Sequence, residues 1–491
     1  MVLRISLASL LSFMLGAPFF AAWSAAGLVA KDAIVEIQGS RADAAIPMFV
    51  ERVGKVTCVA AGQSWRQPRA HEQALPESTD CWEPALAVGP SGQVYVVAGR
   101  RHGIPGDKDF EQQQVIWRSE NRGATFDAPR PITTEGLLHG DQRIVVDAKG
   151  AIYVSYMDSV KDAKGRGHNR LRLARSGDGG RTFLAHTVTT ERVIDKPEIA
   201  ISNDGKRLYI VYESSPGPRV IASHDGGVSW TDPMVIVPSE GRHFWPEALA
   251  VASDGSIWLA VPSMSDSDIA QGKPTLVTLH VFRSSDGGRT WNDYPMSSSI
   301  RTKGGCPHRP DCGVKINAIS IAVDARSRAH VLYTEGASPD QPYALYYRSS
   351  SDGGRTWSSP YILSAAPRPQ SGDTADHNYI SIATSGNQRV CAAWVDDRRG
   401  ALDVWARCSN DAGRRWGAET LLSDRSDGAP YKSPTGFKAF YGHYGGAAID
   451  ASGRFHVVWA AGEPGYPTGS VWVNSIDVRS AGRRSGNDDL R

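Results

Sequence analysis

The chain has no excess of either charge, since 54 lysines and arginines face 52 acidic residues among 491. Nucleic acids and anionic membrane surfaces attract proteins with a large basic excess, so the sequence predicts no nucleic-acid partner. There is no CxxC pair, and the histidines lack metal-ligand spacing, so neither a metal nor another cofactor is expected. Phosphate-binding loops, G-x-S-x-G elbows and H-E-x-x-H motifs are missing as well.

Long apolar runs are confined to the N-terminus. After Arg4, an apolar segment covers residues 5–23 and is followed by the small residues at 24–26. This pattern predicts a secretory signal peptide at 1–26, and hence a secreted or periplasmic protein, with an uncleaved membrane anchor as the alternative. No later segment is apolar enough to span a membrane, so no span is expected after removal of the signal. Residues 27–55 are predicted to be an N-terminal extension.

The six cysteines are few, but in an exported protein they can pair as disulfides. Cys391 and Cys408 would lie directly opposite each other in a hairpin centred near 399–400. The tryptophans at 394 and 405 have the same centre, which supports that hairpin. The two further predicted pairs are Cys306–Cys312 and Cys58–Cys81.

Turn-forming residues are abundant, with 50 glycines and 29 prolines, and many of the glycines belong to a repeat. A motif of the form S-x-D-x-G-x-x-(W/F) occurs six times, at intervals of about 47 to 66 residues, a period typical of propellers and solenoids. Its aspartate is expected to accept hydrogen bonds from its own turn, and its aromatic residue to begin the next strand. We interpret these residues as structural, because the further acidic ligands of a calcium loop are missing. The copies are SENRGATF at 119–126, SGDGGRTF at 176–183, SHDGGVSW at 223–230, SSDGGRTW at 284–291, SSDGGRTW at 350–357 and SNDAGRRW at 409–416.

A second repeat lies between these turns and occurs seven times. Each copy is an apolar strand, a bend and a second apolar strand, which is typical of strands buried on both faces. The sequence therefore predicts an all-β fold, a β-propeller of four-stranded antiparallel blades over 56–478, with seven blades favoured and six as the alternative. A strand at 56–60 is expected to complete the last blade, and 479–491 to form a C-terminal tail. The copies begin at Pro84, Gln142, Pro197, Pro246, Ala318, Tyr379 and Gly445.

The tight-turn motifs resemble the Asp-boxes, or BNR repeats, of the sialidase superfamily, and they cover most of residues 82–475. This resemblance implies a propeller, although Asp-boxes lie away from the active site and also occur in non-enzymatic propellers. Sialidases cleave terminal sialic acid with retention, using three arginines, a tyrosine nucleophile activated by a glutamate, and an aspartate acid/base. Arginines suit the sugar carboxylate because a guanidinium group binds it bidentately.

Several positions match parts of the sialidase pattern. Asp107 or Asp109 would be the acid/base, and Tyr444 the nucleophile, with Tyr379 as the second choice. The family's first arginine is missing, because the matching triplet at 82–84 reads WEP. The candidate glutamates are Glu198, Glu247 and Glu335, and the candidate substrate-binding residues are Arg100, Arg101, Arg143, Arg398, Arg399 and Trp82.

Polar residues flank the inner strands in nearly every predicted blade. A propeller gathers the loops at the ends of its inner strands on one face, so these residues are expected to share one rim around the channel. Three functions stay open. The first is a sialidase-type glycoside hydrolase that cleaves terminal sugar acids, and the second is a non-catalytic propeller that binds a glycan or a protein. A purely structural role on the cell surface is the third. A glycan or glycoconjugate is the expected partner, and the oligomeric state is left open.

Overall fold

The computed structural model describes residues 73–478 apart from 79–80, 103–110, 134–138, 162–165, 203, 272, 302–317, 337–343, 366–377, 387, 397, 399–402, 424–444 and 463–468. The described chain forms seven antiparallel sheets, each a blade of a propeller. The predicted all-β fold and the favoured seven blades are therefore confirmed. Among the described residues no helix is both long enough and apolar enough to cross a membrane.

The first four blades contain the strands β2 to β18 and a short helix. Blade 4 differs from the others because its innermost strand is split into β14 and β15, which both pair with β16. Blade 1 holds β2 (Cys81–Val88), β3 (Val94–His102), β4 (Glu111–Ser119) and β5 (Arg130–Pro131). Blade 2 holds β6 (His139–Val146), β7 (Ile152–Lys161), β8 (Gly167–Ser176) and β9 (Leu184–Glu191). Blade 3 holds β10 (Asp195–Ile201), β11 (Leu208–Glu213), β12 (Arg219–Ser223) and β13 (Met234–Val235). Blade 4 holds β14 (Arg242–Phe244), β15 (Ala248–Val251), β16 (Ile257–Ser265), the helix α1 (Asp266–Gln271), β17 (Thr275–Ser284) and β18 (Asn292–Arg301).

The remaining three blades contain β19 to β29, and the first strand of the chain completes the last of them. Blade 5 holds β19 (Ile319–Val323), β20 (Ala329–Glu335), β21 (Ala344–Ser350) and β22 (Tyr361–Ile362). Blade 6 holds β23 (Asn378–Ser385), β24 (Arg389–Asp396), β25 (Asp403–Ser409) and β26 (Thr420–Leu421). Blade 7 holds β27 (Gly446–Ile449), β28 (Arg454–Gly462), β29 (Gly469–Asp477) and β1 (Gln73–Ala74).

The ring is closed by both ends of the chain. The innermost strands contact one another in the cyclic order β2, β6, β10, β15, β19, β23, β27 and again β2. On the outside of blade 7, β1 pairs with β29, with Gln73 opposite Val473. An N-terminal strand thus completes the last blade, as expected, but the strand that does so is Gln73–Ala74. The predicted strand at 56–60 lies outside the described residues.

The tight turns have the hydrogen bonds that their sequence predicts. In blade 2, Ser176 Oγ donates to Asp178 Oδ1 at 2.8 Å, and the backbone N–H groups of Arg181 and Thr182 donate to the same oxygen at 3.0 Å each. The Thr182 hydroxyl donates to Asp178 Oδ2 at 2.6 Å. These bonds, led by the one from the Thr182 hydroxyl, lower the pKa of Asp178. The motif is a self-bonded corner of the blade, as expected.

The aromatic residue that ends each tight turn packs between two blades. Phe183 lies against a buried cluster that combines Val97 and Ile116 of blade 1 with Ile152 and Val154 of blade 2. Each fully buried aliphatic side chain of this kind contributes about 1.5–3 kcal/mol. Similar clusters recur around the ring, so neighbouring blades are held together mainly by apolar packing.

The hairpin predicted from the cysteine positions is confirmed in blade 6. Cys391 lies opposite Cys408 across β24 and β25, Trp394 lies opposite Trp405, and the two cysteines form a disulfide. Cys81 is buried at the start of β2. The other predicted disulfides involve residues 58, 306 and 312, which lie outside the described residues.

Candidate functional site

The site begins with a bulge that several innermost strands share. In blades 1, 2, 3 and 6 the pairing of the two inner strands shifts near the start of the innermost strand. One residue in each bulge has a positive φ of 47° to 51°, a conformation that side chains other than glycine seldom adopt. The same turn of the backbone recurs at equivalent positions of four blades. The four residues are Glu83, Asp141, Lys196 and Tyr379.

Lys196 is the centre of this group. Its side chain is buried, and its ammonium group interacts with carboxylates from four blades. Burial by itself lowers the pKa of Lys196, but these carboxylates outweigh burial and raise it above the ordinary value, so the ammonium stays charged. The aromatic ring of Trp245 lies 5.9 Å from the ammonium nitrogen. The interacting acids are Glu247, Asp141, Glu83 and Asp195.

A buried ion pair lies beside Lys196. Arg143 of blade 2 donates from Nε to Glu198 Oε1 of blade 3 at 2.6 Å, and from Nη1 to the carbonyl of Gln142 at 3.1 Å. Burial raises the pKa of the Glu198 carboxyl to about 7, and Glu247 adds to this effect, while Arg143 and Lys196 oppose it. Glu198 therefore changes its protonation state near neutral pH, as a general acid or base does.

Tyr379 reaches the same region from the opposite side of the ring. Its side chain is partly buried; burial raises the pKa of its hydroxyl above the usual value, and the carboxylate of Glu83 acts in the same direction. Blades 6 and 1 flank blade 7, so this interaction joins two blades that are not adjacent in the ring. We call these residues from five blades the axial cluster: Glu83, Asp141, Arg143, Asp195, Lys196, Glu198, Glu247 and Tyr379.

The structure brings Arg143 and Glu247 of the predicted site into the axial cluster, together with Glu198 and Tyr379. It places Arg398 elsewhere, since its guanidinium group is bonded to Asp396, Glu419 and Ser364, two of which adjoin the outer strands β26 and β22. Arg100 donates to the backbone carbonyl of Glu77 at 2.6 Å, and Glu335 is the last residue of β20.

The side chains of the remaining predicted site residues lie outside the described part of the structure. Trp82 and Arg101 belong to β2 and β3, but their side chains are outside the described set. Asp107, Asp109, Arg399 and Tyr444 lie wholly outside the described residues, and their roles stay predictions. Among the described residues, no group of three or more histidine, cysteine, aspartate or glutamate side chains could hold a metal ion.

Sequence reasoning missed Lys196. It precedes Pro197 in the third inner-strand copy, as Glu83 precedes Pro84 in the first and Asp141 precedes Gln142 in the second. Aligning the copies on this position would have shown a lysine where the first two copies have an acid. Asp195 and His243 were missed as well, and they lack such a signal because their neighbours come from other strands.

A serine, a histidine and an aspartate are also aligned within blade 4. Ser263 Oγ lies 2.8 Å from His280 Nε2, and His280 Nδ1 lies 2.9 Å from both carboxylate oxygens of Asp293. Ser263 is fully buried, and its oxygen already accepts two hydrogen bonds from Arg242 at 2.7 and 3.1 Å. A nucleophile must be accessible to its substrate, so we assign these three residues a structural role within the blade.

The fold and the repeated corners define a seven-bladed propeller with Asp-box turns. The family model of the BNR repeat-like domain matches residues 214–478, which is just over half of the chain. The chain therefore belongs to the BNR repeat-like family. A search of curated proteins finds no match.

The solved structures that are similar to this chain include sialidases and a polysaccharide lyase. A PL25 ulvan lyase is 10% identical, with a TM-score of 0.50, and the alignment covers 82% of this chain and 98% of that one. A protein of unknown function from Dyadobacter fermentans is 17% identical, with a TM-score of 0.45 and coverage of 83% and 99%. A Hadza microbial sialidase is 13% identical, with a TM-score of 0.42 and coverage of 76% and 74%. At 10% identity the likeness to the ulvan lyase shows the fold alone.

Proposed function

We propose that the propeller binds the end of a glycan at the axial cluster and hydrolyses its terminal glycosidic bond, as a sialidase-type enzyme does. The observation that carries this proposal is the interaction of Tyr379 of blade 6 with Glu83 of blade 1, in the cluster that also holds the cations Lys196 and Arg143. A tyrosine, a carboxylate and cations are the residue types that such a reaction requires. The proposal also includes export of the protein by the predicted signal peptide.

Tyr379 and Glu83 have complementary properties for the nucleophilic step. Because the pKa of Tyr379 is raised, its hydroxyl stays neutral at physiological pH and does not repel an anionic sugar. Glu83 would accept the phenolic proton as the oxygen attacks the anomeric carbon. In this proposal Tyr379 takes the role for which Tyr444 is the first sequence-based choice, and the test below separates the two.

Protonation of the leaving oxygen needs a group that can be acidic near neutral pH. Glu198 fits this need, because its pKa of about 7 leaves a large fraction protonated at pH 7. The sequence-based alternatives for this role are Asp107 and Asp109. Lys196 and Arg143 are the cations that would attract an acidic sugar.

Non-catalytic glycan binding is the second candidate function. Two observations favour it: Trp82 stands where the sialidase pattern has its first arginine, and Arg143 is already bonded to Glu198. A cluster whose charges are mutually paired can recognise a ligand without performing chemistry on it.

The test measures fluorophore release from a fluorogenic sialoside and from a panel of neutral glycosides, together with binding to a glycan array. We expect the purified protein to hydrolyse at least one substrate, and Tyr379→Phe and Glu198→Gln to lower kcat about 100-fold or more. Tyr361→Phe, on an exposed tyrosine of the outer strand β22, is the matched control and should keep full activity. Tyr444→Phe and Asp107→Asn test the sequence-based alternatives. Glycan binding without turnover would support the second function, and neither binding nor turnover would refute both.

A further inference from the structure

Four residues with a positive φ lie inside strands, at the bulges of blades 1, 2, 3 and 6: Glu83, Asp141, Lys196 and Tyr379. The other described non-glycine residues with a positive φ lie outside the strands. A side chain in this left-handed conformation strains the backbone, and the strain persists only where surrounding contacts fix it. Glu83 also precedes a proline, and a residue before proline prefers an extended conformation. Contacts with its surroundings must therefore hold Glu83 in its bulge.

Gln142 supplies such a contact to Glu83. It follows Asp141 in the bulge of β6, and its buried side-chain amide donates from Nε2 to the backbone carbonyl of Glu83 in the neighbouring blade. A bulge takes its extra residue out of the strand ladder, and a buried carbonyl group without a donor is unfavourable. Because Glu83 is itself buried, the amide of Gln142 stabilises the left-handed turn at this position.

Gln142 is in turn tied to the third blade through Arg143. Arg143 donates from Nη1 to the carbonyl of Gln142 at 3.1 Å, and from Nε to Glu198 Oε1 of blade 3 at 2.6 Å. Direct hydrogen bonds thus connect the inner strands of blades 1, 2 and 3 at their bulged ends. Gln142 is therefore fixed in place itself, as a residue that positions a neighbour must be.

We infer that Gln142 is a positioning residue: its amide holds Glu83 in the left-handed conformation, and with it the direction of the Glu83 carboxylate in the axial cluster. Without the amide, the bulge relaxes toward an extended conformation and the carboxylate turns away from Tyr379. The use of this device in hydrolysis rests on the function proposed above, in which Glu83 accepts the proton of Tyr379. Gln142 acts through Glu83 and is not called catalytic.

Thermal melting tests the conformational part without any substrate. Glu83→Gly and Glu83→Ala remove the same carboxylate, but only glycine adopts the left-handed conformation without strain. We expect Glu83→Gly to melt about 1–3 °C above Glu83→Ala. In the Gln142→Met background, which keeps the side-chain length and lacks the donor, this advantage of glycine should vanish or reverse. An equal advantage in both backgrounds would overturn the inference.

Gln112→Met is the matched control. Gln112 is also buried, and its Nε2 also donates to a backbone carbonyl between blades 1 and 2, that of His139. The variant therefore loses the same kind of hydrogen bond but keeps the one to Glu83. We expect the advantage of glycine at residue 83 to be unchanged in this background. Its loss there as well would overturn the inference, because general loosening between the blades would then control the bulge.

Where hydrolysis is detected, a double-mutant cycle tests the positioning role. Gln142→Met should lower kcat about tenfold or more with KM little changed, whereas Gln112→Met should not. In the Glu83→Gln background, Gln142→Met should cause no further loss, because the carboxylate that it positions is already gone. Full kcat in Gln142→Met, or losses that add, would reject the positioning role while the proposed function stands.

Gln142→Asn is the second variant, and it serves both measurements if the methionine variant does not fold. Its amide is polar but too short to reach the Glu83 carbonyl, so the same changes in melting and in kcat are expected. A complete lack of hydrolysis by the unaltered protein would count against the proposed function alone, and the melting comparison would still decide whether Gln142 holds Glu83.

Discussion

Replacement of Lys196 by methionine should destabilise the propeller strongly at neutral pH and weakly in acid. Lys196→Met keeps a flexible side chain of similar length but removes the one ammonium group to which Glu83, Asp141, Asp195 and Glu247 are all coupled. We expect the variant to keep the bulge that holds residue 196 at a φ of 48°. The difference between them is therefore mainly one of buried charge.

The magnitude follows from the burial of that charge. Removing one partner of a buried ion pair costs about 3–5 kcal/mol, because the remaining charge stays desolvated without compensation. Without the ammonium, which opposes the raised pKa of Asp195, that pKa rises further in the folded state. A raised carboxyl pKa destabilises the folded protein above that pKa, and protonation relieves the loss as the pH falls. We therefore expect a loss of about 3–5 kcal/mol at pH 8 and less than half of it at pH 5.

The assay is urea unfolding followed by tryptophan fluorescence at pH 5, 6, 7 and 8. Lys206→Met, on an exposed lysine in the β10–β11 turn of the same blade, is the matched control and should change the unfolding free energy by less than about 0.5 kcal/mol at every pH. Equal loss at all four pH values would show that Lys196 acts through packing and not through charge. No loss at pH 8 would refute the buried cluster itself.

Three further predictions concern the scaffold. Asp286→Ala removes the acceptor of two backbone N–H groups in the fourth tight turn, and it should lower the unfolding free energy, measured in urea at pH 7, by about 1 kcal/mol. Because the Asp286 carboxyl has a pKa of about 2, its contribution to stability should stay intact until the pH falls below about 4. The double variant Cys391→Ser, Cys408→Ser opens a disulfide loop with a sequence separation of 17 and should lower the unfolding free energy by about 3 kcal/mol. Equal stability of the variant and the unaltered protein without reductant would contradict the pairing. Burial lowers the pKa of His456 to about 4, so folding stability should fall as the pH drops from about 6.5 to about 4. In His456→Gln the melting temperature, measured against pH, should change less over this range.

The repeats determine the fold because each one is a local rule. The aspartate of a tight turn bonds to backbone N–H groups three and four residues later, so the corner forms from one short segment, as at Asp178. Seven copies of the inner-strand pair specify the number of blades, and the symmetric placement of Cys391 and Cys408 specifies a register. These features depend on residues close in sequence, and the sequence is sufficient to predict them.

The candidate site needed the tertiary structure. From sequence, Glu83, Asp141, Glu198 and Glu247 can be placed on one rim, because each flanks an inner strand. The sequence did not indicate that Lys196 interacts with them, or that Tyr379 interacts with Glu83. These pairs come from different blades, and their meeting depends on the bulges and on the closure of the ring. Local turn chemistry therefore determines the blades, whereas the charge and protonation of the axial cluster arise from burial and proximity that exist only once the ring has closed.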